Sequence, residues 1–230
     1  RQASLFVFPD GNFGQEGFDN YIKINKVGKI FMDDNGKKKK TMSFSFKNDM
    51  IRELQSDTDA GKLAKLEKFS SKYADAMKNI LYARDTGKCV FVYNEFVKGG
   101  GLILFGLLLE FFGFSKATGR EKDNDFKPRY ASLTNVTSTD TQIRDIVSRF
   151  NKKDNVNGKV INIIMGSRKI SEGFSFQNIQ IEEILTPWFN YSETAQAIAR
   201  GIRLGSHRML EEKGEDVKVE IYQRISVPAN

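Results

Sequence analysis

The chain has 230 residues, with 36 Lys and Arg against 29 Asp and Glu, one His and one Cys. The single cysteine, Cys89, excludes an internal disulfide, and the single histidine, His207, leaves no Cys/His zinc cluster and little basis for a Ser-His-Asp triad. With 40% hydrophobic residues the length suits one full domain, or one domain and a smaller attachment, around a substantial core. The longest apolar run, residues 102–114, is too short to cross a bilayer and carries Glu110, so a soluble, reduced chain without membrane contact is expected. It begins at Arg1 with neither a methionine nor a signal-like segment, as a piece of a longer protein would. The net charge of +7 points to a polyanionic partner, and most of it lies early. Residues 1–84 hold 16 basic and 11 acidic side chains, and residues 85–230 hold 20 and 18.

In chain order, residues 4–8 form a short β-like run stopped by Pro9-Asp10-Gly11, and a Gly/Asn/Phe-rich loop follows. Residues 29–32 and 41–46 flank Asp33-Asp34-Asn35-Gly36, whose Asn-Gly pair predicts a tight hairpin turn beside the run of lysines 37–40. Phe31 occupies the place where a calcium loop would need another acidic ligand. From about residue 58 to 84, Leu66, Phe69, Tyr73, Met77 and Ile80 recur at three- and four-residue spacing, predicting one amphipathic helix.

After Gly87 the pattern becomes alternating. Strands are predicted at 89–92, 130–133, 160–165, 181–185 and 217–222. Between them, Gly99-Gly100-Gly101 opens an apolar core helix over 102–112, and Thr139 with Gln142 makes a capping box for a helix carrying Ile143, Ile146, Val147 and Phe150. Strands alternating with helices predict a parallel sheet covered on both faces, with ligands at the carboxyl ends of the strands.

The most informative stretch runs from Pro187 to His207. Asn190 as N-cap with Glu193 three residues on predicts a helix start, and Gly205 a stop. On a continuous helix Gln196, Arg200 and Arg203 fall within about 60° of one another, with Ala195, Ile198 and Ile202 opposite. Such a stripe is either a solvated face or a clamp for a phosphate chain that includes an arginine finger.

The pattern Gln196-x-x-Ala199-Arg200-x-x-Arg203, preceded by Pro187-Trp188-Phe189-Asn190, resembles motif VI of superfamily 2 helicases and translocases. Gly166-Ser167-Arg168-Lys169-Ile170-Ser171-Glu172-Gly173-Phe174-Ser175-Phe176 resembles their motif V, and Val90-Phe91-Val92-Tyr93-Asn94 with the glycines after it resembles motif IV. Within that superfamily the chain is most similar to poxvirus-type nucleoside triphosphate phosphohydrolases, early transcription factor ATPase subunits and their relatives in other large DNA viruses. The segment Ile202-Arg203-Leu204-Gly205-Ser206-His207 carries much of that likeness, and residues 1–9 resemble the segment leaving the first lobe.

The resemblance implies an α/β fold, a RecA-like second lobe over residues 87–230, preceded by a smaller basic α+β accessory or linker segment over 1–86. ATP and Mg2+ would be used by the two-lobe protein. Gly-Lys pairs at 28, 36, 61, 87 and 158 are never followed by Ser or Thr, so no phosphate loop is read and the chain is expected to be inactive alone. By motif position Arg203 is the finger and Arg200 its partner at the γ-phosphate. Gln196, Gly173 and Glu172 would lie at the nucleotide, and Asn94, Thr134, Ser167 and Arg168 against the nucleic-acid backbone, with no resident metal site. Two departures stand out: Ala199 replaces the usual Gly, and Ser175 replaces a ribose-contacting Asp.

The implied partners are DNA or RNA, the first lobe, and viral RNA polymerase or transcription factor subunits, in the virion and host cytoplasm. A catalytically silent binding or assembly module is the alternative. Several features keep two readings. Residues 99–101 are a tight turn or a helix-end phosphate site, lysines 37–40 a solvated tip or a grip on a duplex, and Trp188 a packing or a stacking residue. His207 is expected at a helix end or a lobe contact.

Overall fold

The computed structural model describes residues 2–168, 173–187, 191–215 and 217–226, with the Tyr191 side chain left out. The helices are α1 (Gly14–Tyr21), α2 (Asn48–Leu54), α3 (Asp59–Glu67), α4 (Ser71–Thr86), α5 (Leu102–Phe111), α6 (Asp140–Phe150), α7 (Tyr191–Ile198) and α8 (Arg208–Glu212). Strands β1 (Ile22–Met32) and β2 (Lys38–Phe46) form an antiparallel hairpin. Strands β3 (Cys89–Tyr93), β4 (Ser115–Lys116), β5 (Arg129–Leu133), β6 (Ile163–Gly166), β7 (Ile179–Ile184) and β8 (Glu220–Gln223) form a parallel sheet in the order β4-β5-β6-β3-β7-β8. A parallel sheet with helices on both faces is the α/β arrangement expected of a RecA-like lobe.

The central strand β3 is buried at every position, which is why its sequence is continuously apolar. Alternate residues separate two hydrophobic layers. Val90, Val92, Ile163, Met165 and Ile181 pack with α4, α5 and the N-terminal residues. Phe91, Tyr93, Leu133, Ile164 and Ile184 pack with α6, Phe176 and Ala197 of α7. Leu5, Phe6 and Phe8 belong to the first layer, with α4, and so lie against that face of the sheet. The capping box on α6 is formed as the sequence indicates, and α5 is core. Among the described residues no helix is long and apolar enough to cross a membrane.

Several elements depart from the sequence pattern. Residues 4–8 form no strand; Leu5, Phe6 and Phe8 plug the core while Val7 is exposed, and Val7 N–H donates to Phe69 O at 3.0 Å. The loop after them contains α1, and α2 was not expected. The hairpin is longer than its predicted arms, with residues 33–37 as its turn and lysines 38–40 inside β2. The helix predicted over 58–84 is two. Ser70 interrupts it: its hydroxyl donates to Leu5 O and accepts from Tyr73 N–H at 3.0 Å, capping α4. Ser70→Ala should therefore cost about 1–2 kcal/mol, measured by urea unfolding, against a few tenths for an exposed serine; an unchanged midpoint would contradict the capping role.

Candidate functional site

Parallel pairing fixes which loops meet. Leu133 and Tyr93 both pair with Gly166, and Tyr93 also pairs with Ile184, so the chain leaves β5, β6, β3 and β7 along one edge. Thr134, Ser167, Asn94 and Leu185 are the first residues beyond those strands. Three of the four residues expected at the nucleic-acid backbone thus share one row, and Arg168 follows Ser167. All three are buried in the free chain, Asn94 completely.

Asn94 is taken up by the fold. Its amide N–H donates to the Tyr73 hydroxyl at 2.9 Å, and its side-chain carbonyl accepts from Phe96 N–H at 3.0 Å. The Tyr73 hydroxyl in turn donates to Gly100 O, and burial pushes its pKa above the usual phenol range. The glycine turn is equally occupied. Gly100 N–H donates to Gln2 Oε1 at 2.8 Å, and a Cβ at Gly101 would lie 2.2 Å from Phe96 O. Residues 99–101 are therefore a packed tight turn and not a helix-end phosphate site. Arg168 reaches across to Glu193 in the first turn of α7, 2.9 Å away, tying the loop after β6 to that helix.

The motif V loop is anchored by Phe176, fully buried against Phe91 and Phe150. Asn151 holds its backbone from below, donating to Ser175 O at 3.0 Å and accepting from Gln177 N–H at 2.9 Å. Gly173, just before, is exposed. The Ser175 hydroxyl accepts from the Arg203 guanidinium, and Phe176 N–H meets Arg200 O at 3.4 Å. Ser175 thus holds the arginine to this loop. Glu172, Trp188 and the Asn190 N-cap lie outside the described residues.

The continuous helix expected through Arg203 is not formed. α7 ends at Ile198, and tight turns carry the chain from 199 to 207, so Gln196, Arg200 and Arg203 do not share one continuous helix face. Gln196 and Arg203 are exposed and Arg200 half-buried. Thr194 and Ala197 form the buried face of α7, while Ile202 is exposed and not opposite a polar stripe. The segment is pinned to the sheet at its far end. His207, nearly buried, sets Nε2 2.6 Å from Ile179 O and Nδ1 3.0 Å from Ser206 Oγ, a helix-end and strand contact within the lobe.

Beneath this segment lies a residue that sequence reading missed. Glu182 points from β7 at Gly201, where an added Cβ would be 2.1 Å from its Oε1. It is fully buried, and among the described residues no group of good hydrogen-bond geometry meets either oxygen. Burial pushes its pKa up to about 8, only partly offset by the Gly201 N–H. Its neighbour Glu183 faces the other layer, where Asn79 donates at 2.7 Å and Arg224 at 2.8 and 3.0 Å. Two acidic residues inside a strand that otherwise reads Ile-Gln-Ile…Ile were the available signal.

The basic hairpin does not stand free. Met42 N–H donates to Val136 O at 2.7 Å, Lys39 Nζ to Asn135 at 3.3 Å, and Asp34 N–H to Asp140 at 2.8 Å, while Arg144 pairs with Asp34 at 2.7 Å. Asp33, buried in the turn, accepts from Asn35 and Lys37 N–H and pairs with Lys39 at 2.7 Å; the Lys39 bond foremost holds its pKa down at about 2. Between the docked hairpin and the sheet edge lies a cleft of about 320 Å³, with Lys39 and Lys40 on one side and Thr134 and Ser167 on the other. Among the described residues no group of three or more His, Cys, Asp or Glu side chains is placed to hold a metal ion.

The chain is 42% identical over 227 residues to Putative helicase 087L of Invertebrate iridescent virus 3, covering 99% of this chain and 21% of that protein. It is a homologue of viral helicase-family proteins. A Putative ATP-dependent RNA helicase of Heliothis virescens ascovirus 3e is 32% identical over 223 residues, 96% of this chain and 22% of the other. Nucleoside triphosphatase I of Heliothis armigera entomopoxvirus is 30% identical over 226 residues, 95% and 32% respectively. The chain therefore spans between about a fifth and a third of the length of these relatives. No protein-family model matches. Among solved structures, the C-terminal part of the Fun30 ATPase domain gives a TM-score of 0.44 at 18% identity, over 75% of this chain and 44% of that one.

Proposed function

We propose that this chain is the second RecA-like lobe of an ATP-driven helicase or translocase of a large DNA virus, acting in viral transcription in the virion and host cytoplasm. Residues 87–230 would form the lobe and residues 1–86 an accessory layer on one face. The observation that carries the reading is the homology to viral helicases along nearly the whole chain.

The residues present suit a triphosphate. Arg203 and Arg200 offer guanidinium groups on one short segment, held to the motif V loop through Ser175 and Phe176. Arg203 and Gln196 are exposed, as donors to a ligand bound mainly by another lobe must be. When bound, ATP with Mg2+ supplies the phosphoryl group and the charge to be neutralised. Arg203 would offset charge developing on that group, Arg200 would hold the γ-phosphate side, Gln196 would bond at the cleft, and Gly173 with Glu172 would let backbone approach the nucleotide. The acidic magnesium ligands and the phosphate loop would come from the first lobe.

Thr134, Ser167 and Arg168 would contact the nucleic-acid backbone along the sheet edge, and Asn94 would act by shaping the loop after β3. Hydroxyls and a screened arginine suit phosphate oxygens without fixing sequence. Closure of the two lobes on ATP would shift these contacts relative to those of the first lobe. The test joins this chain to its upstream lobe and measures phosphate release with and without nucleic acid. Nucleic-acid-stimulated hydrolysis that neither piece shows alone is expected. A first lobe as active alone as when joined would refute the reading.

A further inference from the structure

We propose that the cleft between the β1–β2 hairpin and the carboxyl edge of β5 and β6 holds one unpaired nucleotide of a single strand, making the hairpin the second wall of a single-strand channel. This rests on the nucleic-acid reading above and adds to it the strandedness of the ligand and the residues that select it.

Charge supplies the first argument. Residues 22–46 carry seven lysines against Asp33 and Asp34, a net +5, while the whole chain carries +7. The hairpin thus concentrates most of the excess charge in one small element. Docking through Met42, Lys39 and Asp34 sets it beside the row of residues that ends the sheet. Lys40 is exposed in β2 and lines the cleft, opposite the hydroxyl residues Thr134 and Ser167. Lys39 is held by Asp33 and Asn135, so Lys40 is the cation this wall offers a phosphodiester, with hydroxyls on the other side.

The remaining lining decides between a single strand and a duplex. Met42, Val97 and Val136 line the same cleft. A duplex turns its base faces inward and shows a protein only groove edges and phosphates, so apolar side chains set between phosphate ligands gain nothing from it. An unpaired base exposes its flat apolar face, and burying that face is the sequence-tolerant source of single-strand affinity. At about 320 Å³ the cleft stands at the small end of ligand pockets, suited to one such base with its sugar.

The experiment uses the 230-residue chain with fluorescent oligo-dT, oligo-rU and a blunt DNA duplex, followed by anisotropy across a salt series. Tighter binding of both single strands than of the duplex is expected. Lys40→Glu should weaken single-strand binding roughly tenfold and lower the slope of log affinity against log salt by at least about 0.7. Met42→Ser should weaken single strands without changing that slope, since it removes apolar contact and no charge. Both side chains lie away from full burial, and thermal melts check that each variant is folded; Lys40→Ala replaces the glutamate if it is not. Failure of the parent chain to bind any probe at low salt would overturn this inference and the nucleic-acid reading together. Equal affinity for strand and duplex, or wild-type binding by folded Lys40 and Met42 variants while Ser167→Ala weakens it, would overturn the cleft alone.

Discussion

Replacing Arg203 by Ala in the two-lobe protein should lower kcat for nucleic-acid-stimulated ATP hydrolysis by about 10³-fold, the lower end of what an arginine finger contributes. The effect should fall on kcat with little change in KM, because a group that meets charge formed in the transition state adds little to ground-state binding. Steady-state phosphate release at saturating nucleic acid reads both. The structure makes this a clean test. Arg203 is exposed, lies between Gly201 and Gly205, and touches Ser175 by its guanidinium. Its loss should leave stability within about 0.5 kcal/mol. Arg203→Lys keeps the charge but not the fork of donors, and recovery of most activity in that variant would mean that charge alone suffices. Hydrolysis at the wild-type rate in Arg203→Ala would remove the residue from the catalytic step. Ser175→Ala, which frees Arg203 without deleting it, should fall between the two.

The second large effect concerns stability. Glu182→Gln should raise the unfolding free energy at pH 7 by about 3 kcal/mol and flatten its dependence on pH. The sign follows from burial pushing the carboxyl group up to about 8 in the folded chain from its ordinary value of 4.5. Below pH 4.5 both folded and unfolded chains hold the proton, and the group is neutral in each. Between 4.5 and about 8 the unfolded chain ionises while the folded chain keeps its proton, so stability falls by roughly 1.4 kcal/mol per pH unit. Glutamine has the same shape and cannot ionise. Urea unfolding of both proteins from pH 5 to 8 should give curves that diverge upward in pH, and parallel curves would show that Glu182 is not neutral in the fold.

Why a neutral acid should sit beneath Gly201 follows from packing. A residue with a Cβ there would collide with the carboxyl group, so the turn carrying Arg200 and Arg203 lies directly on β7. The glycine and the glutamate together set how close that turn comes to the sheet. Sequence pattern could place each residue, but not the contact between them.

The amino-acid sequence by itself determined the alternation of strand and helix after Gly87, the parallel sheet, the capping box on α6 and the three motifs at strand ends. The strands, helices and cap depend on local periodicity or on short-range hydrogen bonding, which nearby residues fix, and the motifs were legible through their resemblance to a known family. It misjudged continuity where one long-range contact outweighed propensity. Ser70 breaks an otherwise helical run because its hydroxyl meets Leu5, 65 residues away in sequence. α7 ends at Ile198 because the following turn must settle on Glu182 and Ile179. Asn94, read as a contact for an outside phosphate, is bonded to Tyr73 and Phe96, and Gly100, which the sequence left between a tight turn and a phosphate site, is bonded to Gln2. Only the tertiary structure decided that the basic hairpin lies against the edge of the sheet, because one backbone bond at Met42 and the clasp of Asp34 by Asp140 and Arg144 join segments about a hundred residues apart. The sequence already set most of the net positive charge in the first third of the chain; docking set the hairpin's share of it along one wall of a cleft.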